Sequence, residues 1–138
     1  MDKNLCKSVK CSVKKAIDEF NLAKGASKPF TECIEKTGVY IFFENRIPVY
    51  IGESGSKKQD LKTRIYQHTQ PKNSGATLRK NICKIDSCTD EAALNKIKNF
   101  TIKVIICGTA TTADCEKAKN LETKLIGIFN PKYNQYKY

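Results

Sequence analysis

The chain's 138 residues, 40% of them apolar, are enough for one domain with its own hydrophobic core. Lys and Arg number 25 against 14 Asp and Glu, and the net charge of +11 puts a polyanion at the head of the partner classes. No apolar run approaches the roughly eighteen residues of a membrane span, and Met1-Asp2-Lys3-Asn4-Leu5 lacks the apolar stretch of a secretory signal. The expectation is therefore a cytoplasmic protein with no membrane partner.

Leu5, Val9, Val13, Ala16 or Ile17, and Phe20 recur at three- and four-residue steps, which predicts an amphipathic helix over 3–24, ended by Gly25 and Pro29. It forms a helical extension, residues 1–36, ahead of a main domain at 37–138. Val39-Tyr40-Ile41-Phe42-Phe43 and Ile47-Pro48-Val49-Tyr50-Ile51-Gly52 flank a short turn and read as a hairpin, with Pro48 placing the second strand near an edge. Asp60 caps a helix over 61–69, followed by a basic helix near 76–84 and a third from Thr89 or Asp90 to about Asn99. Phe100 to Cys107 is the third strand. A long helix over 113–129 is expected to bury Ala118, Leu121, Leu125, Ile128 and Phe129, and Asn130-Pro131 stops it. The fold class is α+β: a small three-stranded antiparallel sheet flanked by helices, with an added N-terminal helix.

The charge is concentrated. Lys57, Lys58, Lys62, Arg64, Lys72, Arg79, Lys80 and Lys84 stand against Asp60 alone in residues 57–84, interleaved with Tyr66, His68 and small polar residues. That mixture suits a phosphate backbone. Thr77-Leu78-Arg79-Lys80-Asn81 is the candidate for groove contact, because Arg and Asn can read base edges bidentately. The seven cysteines, odd in number, with no C-x-x-C and a single histidine in the chain, read as reduced thiols serving as small apolar residues.

The chemistry-bearing groups are Tyr40 and Tyr50 on the hairpin, Arg64 and His68 one helical turn apart, and Glu122 on the last helix. At i and i+4 the guanidinium and the imidazole project side by side toward the hairpin. Taken together, Gly38-Val39-Tyr40, Tyr50-Ile51-Gly52 after a ten-residue step, Arg64-x-x-x-His68, Glu122 and Tyr133-Asn134 resemble the GIY-YIG nuclease family over roughly residues 37–134.

The resemblance implies a metal-dependent DNA endonuclease that hydrolyses phosphodiester bonds to leave 5′-phosphate and 3′-hydroxyl ends. It implies Mg2+ as the cofactor, with Mn2+ as a substitute, on Glu122. Tyr40 matches the tyrosine that orients or deprotonates the attacking water, and Tyr50 the one near the scissile phosphate. Arg64 matches the arginine that offsets phosphoryl charge, His68 the histidine that relays a proton or tunes the tyrosine, and Asn134 the asparagine that holds the site's geometry. Asn130 competes for that last role, and the Pro-Lys-Tyr-Asn run favours Asn134. An unperturbed phenol has a pKa of about 10, so Tyr40 acts as a base only if nearby positive charge or a proton acceptor favours phenolate.

With little attached to the catalytic region, a restriction-like or standalone DNA-processing enzyme is expected, as a monomer or homodimer. The alternatives are a catalytically inactive nucleic-acid-binding module and a structure-selective repair or recombination nuclease. RNA is the other polyanion that the charge and the tyrosines suit.

Overall fold

The computed structural model describes residues 11–13, 15–16, 35–54, 60–70, 77–109 and 111–134. In chain order these form a two-residue strand β1 (Cys11–Ser12), strands β2 (Thr37–Glu44) and β3 (Ile47–Glu53), and helices α1 (Leu61–Gln67), α2 (Thr77–Asp86) and α3 (Asp90–Asn99). Strand β4 (Thr101–Gly108), helix α4 (Thr112–Phe129) and a 3-10 turn at Lys132–Asn134 complete them. The three long strands are the expected ones, and the sheet is antiparallel throughout in the order β1-β4-β2-β3.

Asn45 and Arg46 turn the β2–β3 hairpin with φ of 51° and 69°, the left-handed pair that matches the twist of the flanking strands. β3 is an edge strand, as Pro48 predicted, and the pairing slips between Phe42 and Phe43 so that Phe43 faces Pro48. Alternation along β2 divides the core. Tyr40 and Phe42 pack with Ile102 and Val104 of β4 and with Leu61, Ile65, Leu78, Ile82 and Ile97 from the first three helices. Val39 and Ile41 join Ile51 in a second cluster under Ala118, Leu121 and Leu125 of α4.

The helix starts marked at Asp60 and Thr89 are capped as their chemistry requires, and so is that of α4. Asp60 accepts from the Thr63 amide, Thr89 from that of Ala92, and Thr111 from that of Asp114. Asn130 takes the left-handed conformation that ends α4, at φ 45°.

Two expectations are corrected. Residues 11 and 12 are extended rather than helical: they pair with Ile102 and Thr101 along the outer edge of β4, which supplies partners to backbone groups that the edge would otherwise leave open. Among the described residues, helical conformation begins at Val13, with the Ser12 hydroxyl accepting from the Lys15 amide, and Val13 and Ala16 are fully buried in the first core. The other residues of the predicted helix over 3–24 lie outside the described ones.

The second correction concerns the end of α4. Ile128 and Phe129 are 65% and 46% exposed rather than buried. Among the described residues nothing lies within 4 Å of where a Cβ would sit on Gly127, so the last turn runs past the part of the sheet that these residues pack. No helix among the described residues is long and apolar enough to cross a membrane.

Candidate active site

The register of the hairpin brings the two tyrosines together. Tyr40 lies opposite Gly52 and Phe42 opposite Tyr50, so the phenols are diagonal neighbours on one face. Gly52 is required by the close approach of the ring across from it, since a Cβ there would sit 2.3 Å from Tyr40 Oη and 2.4 Å from Cζ. A Cβ on Gly38 would lie 2.0 Å from the Ile105 carbonyl oxygen, so a glycine lets β2 and β4 close where their register shifts. The Gly38 amide donates to Ser54 Oγ at 3.1 Å, and the Ser54 amide donates back to the Gly38 carbonyl at 3.0 Å, which fixes the open end of the hairpin.

His68 caps the end of α1 and is 5% exposed. Its Nε2 lies 2.6 Å from Tyr40 Oη, and its ring stands edge-on to Tyr40, Phe42 and Tyr50 at centroid separations of 5.4, 5.5 and 5.6 Å. Nδ1 is buried with no hydrogen-bond partner among the described residues. Burial, then the cations of Arg64 and Arg79, bring the imidazole pKa down to about 3, so the ring is neutral at physiological pH.

The phenols shift the other way. Burial foremost, then Tyr50, holds Tyr40 well above its ordinary value, and burial pushes Tyr50 up to about 12. Arg64 opposes both shifts without overcoming them, and Glu122 adds to both. Arg64 favours phenolate but is outweighed by burial, and His68 Nε2 is the proton acceptor in contact with Tyr40.

Arg64 is half-buried one turn before His68, with Nε donating to the Glu53 carbonyl at 3.4 Å and Nη1 to Gln67 Oε1 at 3.3 Å. Glu122, half-buried on α4, is near enough to act electrostatically on both phenols. Asn134 is buried, and its carboxamide behaves as a one-residue strand. Oδ1 accepts from the Ile51 amide at 2.9 Å and Nδ2 donates to the Ile51 carbonyl at 3.0 Å, so the exposed edge of β3 is satisfied beside Tyr50. Asn130, the competing candidate, is exposed at the cap of α4.

Among the described residues no group of three or more His, Cys, Asp or Glu could cage a metal ion. A single ligating carboxylate fits a hard dication that keeps most of its water shell and takes its other oxygens from substrate; Glu122 is the residue that would hold it, and Glu53 also acts on both phenols.

The basic segment divides. Lys80 and Lys84 are exposed on α2 and Lys62 is half-buried on α1, whereas Lys57, Lys58 and Lys72 lie outside the described residues. Arg79 and Asn81 are corrections, being 4% and 5% exposed and turned inward. Arg79 donates to Asp90 and to the Gln70 carbonyl, and Asn81 Nδ2 donates to the Tyr133 carbonyl at 2.8 Å. Neither reads a base from there. Asn81 was legible as an interior residue, because Leu78, Asn81, Ile82 and Ile85 share one helix face. Its partner 52 residues away was not. Ser54 and Gln67 were also missed, since hydroxyl and carboxamide groups beside turns give no distinguishing pattern. Cys83, Cys88, Cys107 and Cys115 are free thiols, as expected.

Residues 36–136 match the sequence profile of the GIY-YIG catalytic domain. Comparison with curated proteins gives no match. Among solved structures the chain is similar to the GIY-YIG N-terminal endonuclease domain of UvrC from Thermotoga maritima bound to its catalytic divalent cation, magnesium. The identity is 22% over 86% of this chain and 93–94% of that one, with a TM-score of 0.49, and a tyrosine-to-phenylalanine and an asparagine-to-alanine variant of that domain give the same identity and score.

Proposed function

The chain belongs to the GIY-YIG family, a nuclease domain, and we propose that it is a divalent-metal-dependent endonuclease that hydrolyses phosphodiester bonds in DNA. The observation that carries this reading is the 2.6 Å contact between Tyr40 Oη and His68 Nε2. A buried phenol is thereby joined to a neutral imidazole, beside a second phenol, a guanidinium and, within electrostatic reach, a carboxylate.

Phosphodiester hydrolysis needs an oriented water, neutralisation of extra negative charge, and help for the departing alkoxide. In the proposed mechanism Tyr40 Oη orients the water and receives its proton while the phenol's own proton moves to His68 Nε2. Arg64 offsets the charge that builds on the phosphoryl oxygens, and the Tyr50 hydroxyl, kept protonated by burial, donates to one of them. Asn134 holds the strand that carries Tyr50. Mg2+, or Mn2+ in its place, would sit on Glu122 and supply electrostatic stabilisation together with a more acidic bound water. The water oxygen bonds to phosphorus as the P–O bond to the 3′ oxygen breaks, and that oxygen takes a proton from solvent, leaving 5′-phosphate and 3′-hydroxyl ends.

Residues 37–138 form the catalytic domain in this reading, and the 1–36 extension with the 57–84 segment supplies DNA contacts through Lys57, Lys58, Lys62, Lys72, Lys80 and Lys84. The role is restriction-like or that of a standalone DNA-processing enzyme. A panel of duplex, single-stranded and branched DNA and of RNA, digested with Mg2+ and again with chelator, tests it. Duplex DNA is expected to be cut at one recurring sequence, and only with the metal present. Cutting of RNA alone, or cutting that survives chelation, overturns the reading, and cutting set by junction shape moves the role to repair or recombination.

A further inference from the structure

Arg79 is 4% exposed. A guanidinium, permanently charged, stays in a protein interior only where partners offset its lost hydration. Its Nε donates to Asp90 Oδ1, at the first residue of α3, at 2.9 Å, and its Nη1 donates to the Gln70 carbonyl at 2.6 Å. Gln70 follows His68, the cap of α1, by two residues. One side chain on α2 thus ties together the end of α1, the start of α3 and its own helix. The tie ends two residues beyond the imidazole that meets the Tyr40 hydroxyl.

We propose that Arg79 is a positioning residue for the Tyr40–His68 pair: fastened to Asp90 and to the Gln70 carbonyl, its guanidinium fixes the end of α1 that carries the imidazole to the Tyr40 hydroxyl. The catalytic consequence rests on the nuclease reading, whereas the effect on the ring does not. Among the described residues, the titratable and charged groups that act on His68 are the Tyr40 hydroxyl from β2, the Tyr50 phenol from β3, Arg64 on its own helix and Arg79 from α2. The charged ones are both cations, and they add to burial in disfavouring a second proton on the ring. A charged ring could only donate to Tyr40 Oη. A neutral ring can accept the phenol's proton, and Arg79 preserves that acceptor at acid pH, where a free histidine would be charged.

His68 is the single histidine of the chain, so its ring nitrogens give an unambiguous 15N NMR titration. Followed from pH 8 to the acid limit of folding, Arg79→Met is expected to raise the midpoint of ring charging by about one pH unit or more. Asp90→Asn, which retains the cation and removes an anion near it, is expected not to raise it. A folded Arg79→Met whose ring titrates with the wild type overturns the proposal, and so does an Asp90→Asn midpoint that rises to match Arg79→Met. Should Arg79→Met fail to fold, Arg79→Lys carries the test: the retained cation keeps the ring neutral, and charging near the ordinary 6.5 overturns the proposal.

In plasmid nicking, Arg79→Met should be several-fold slower than the wild type at pH 8 and at pH 6 alike, because a midpoint raised by about one unit from about 3 still leaves the ring neutral there and only the placement of the imidazole is lost. An absence of nicking by the wild type would remove the nuclease reading and leave the ring titration to judge Arg79 alone.

Discussion

Replacing Asn134 with alanine strips the edge of β3 of both its hydrogen bonds at Ile51, a residue with no exposed surface. Leaving a buried donor or acceptor unsatisfied costs about 1–3 kcal/mol each. Two such groups at a strand edge, which water can partly reach once the carboxamide is gone, put the loss at about 2–4 kcal/mol. That is a large share of the about 5–15 kcal/mol that holds a domain of this kind together, yet it leaves the chain folded in dilute buffer.

Urea denaturation followed by far-UV circular dichroism reads the change. With a slope of about 2 kcal/mol per molar, the midpoint should fall by about 1–2 M. Asn134→Asp retains the acceptor for the Ile51 amide but sets a carboxylate against the Ile51 carbonyl, so it should be no better than alanine. DNA cleavage should fall with both, because Tyr50 is the next residue along the strand. Asn130→Gly, at the exposed end of α4, should leave cleavage unchanged. An Asn134→Ala midpoint within about 0.3 M of the wild type would refute the reasoning, because the carboxamide would then carry no net energy at the edge.

Tyr40→Phe removes the hydroxyl that meets His68 Nε2 and should lower the cleavage rate by about 10²–10⁴-fold in single-turnover assays, at a cost of about 1–2 kcal/mol in stability. A rate within threefold of the wild type would remove Tyr40 from the reaction. Gly52→Ala places a Cβ where the buried end of the Tyr40 ring already lies, and the ring has no free direction in which to retreat. It should cost about 1–3 kcal/mol and most of the activity, and an unchanged melting temperature would contradict the packing described for that face. Lys80→Glu with Lys84→Glu on the exposed side of α2 should weaken DNA binding without affecting the fold. If both lysines contact phosphates, the slope of log affinity against log salt shrinks by about two, and an unchanged slope places the DNA elsewhere.

The strands were legible because β-branched and aromatic residues fill them and Pro48 marks an edge. Two helix starts were legible because Asp60 and Thr89 carry capping groups at the points where apolar periodicity begins, whereas the Thr111 cap of α4 was not singled out. Spacing also indicated that Arg64 and His68 share a helix face. The direction in which a polar side chain turns was harder to read. Arg79 and Asn81 carry the chemistry of base recognition, but partners distant in sequence, Asp90 and the carbonyls of Gln70 and Tyr133, hold them inside.

Length misled at both ends. The periodicity of residues 3–24 contains no sign that the outer edge of β4 would draw residues 11–12 into the sheet. The apolar Ile128 and Phe129 continue the α4 pattern one turn beyond the surface it packs against. Protonation was legible only in part. The sequence puts Arg64 near two tyrosines, yet burial outweighs that cation and keeps both phenols protonated, a balance that only the packing decides.

The most direct measurement is the rate at which Glu122→Ala nicks supercoiled plasmid at saturating Mg2+, taken alongside its affinity for the same DNA. Loss of nicking to background, with a Kd within about threefold of the wild type, is the predicted result. Nicking at the wild-type rate would contradict the assignment of the carboxylate, and with it the hydrolytic site built around Tyr40 and His68.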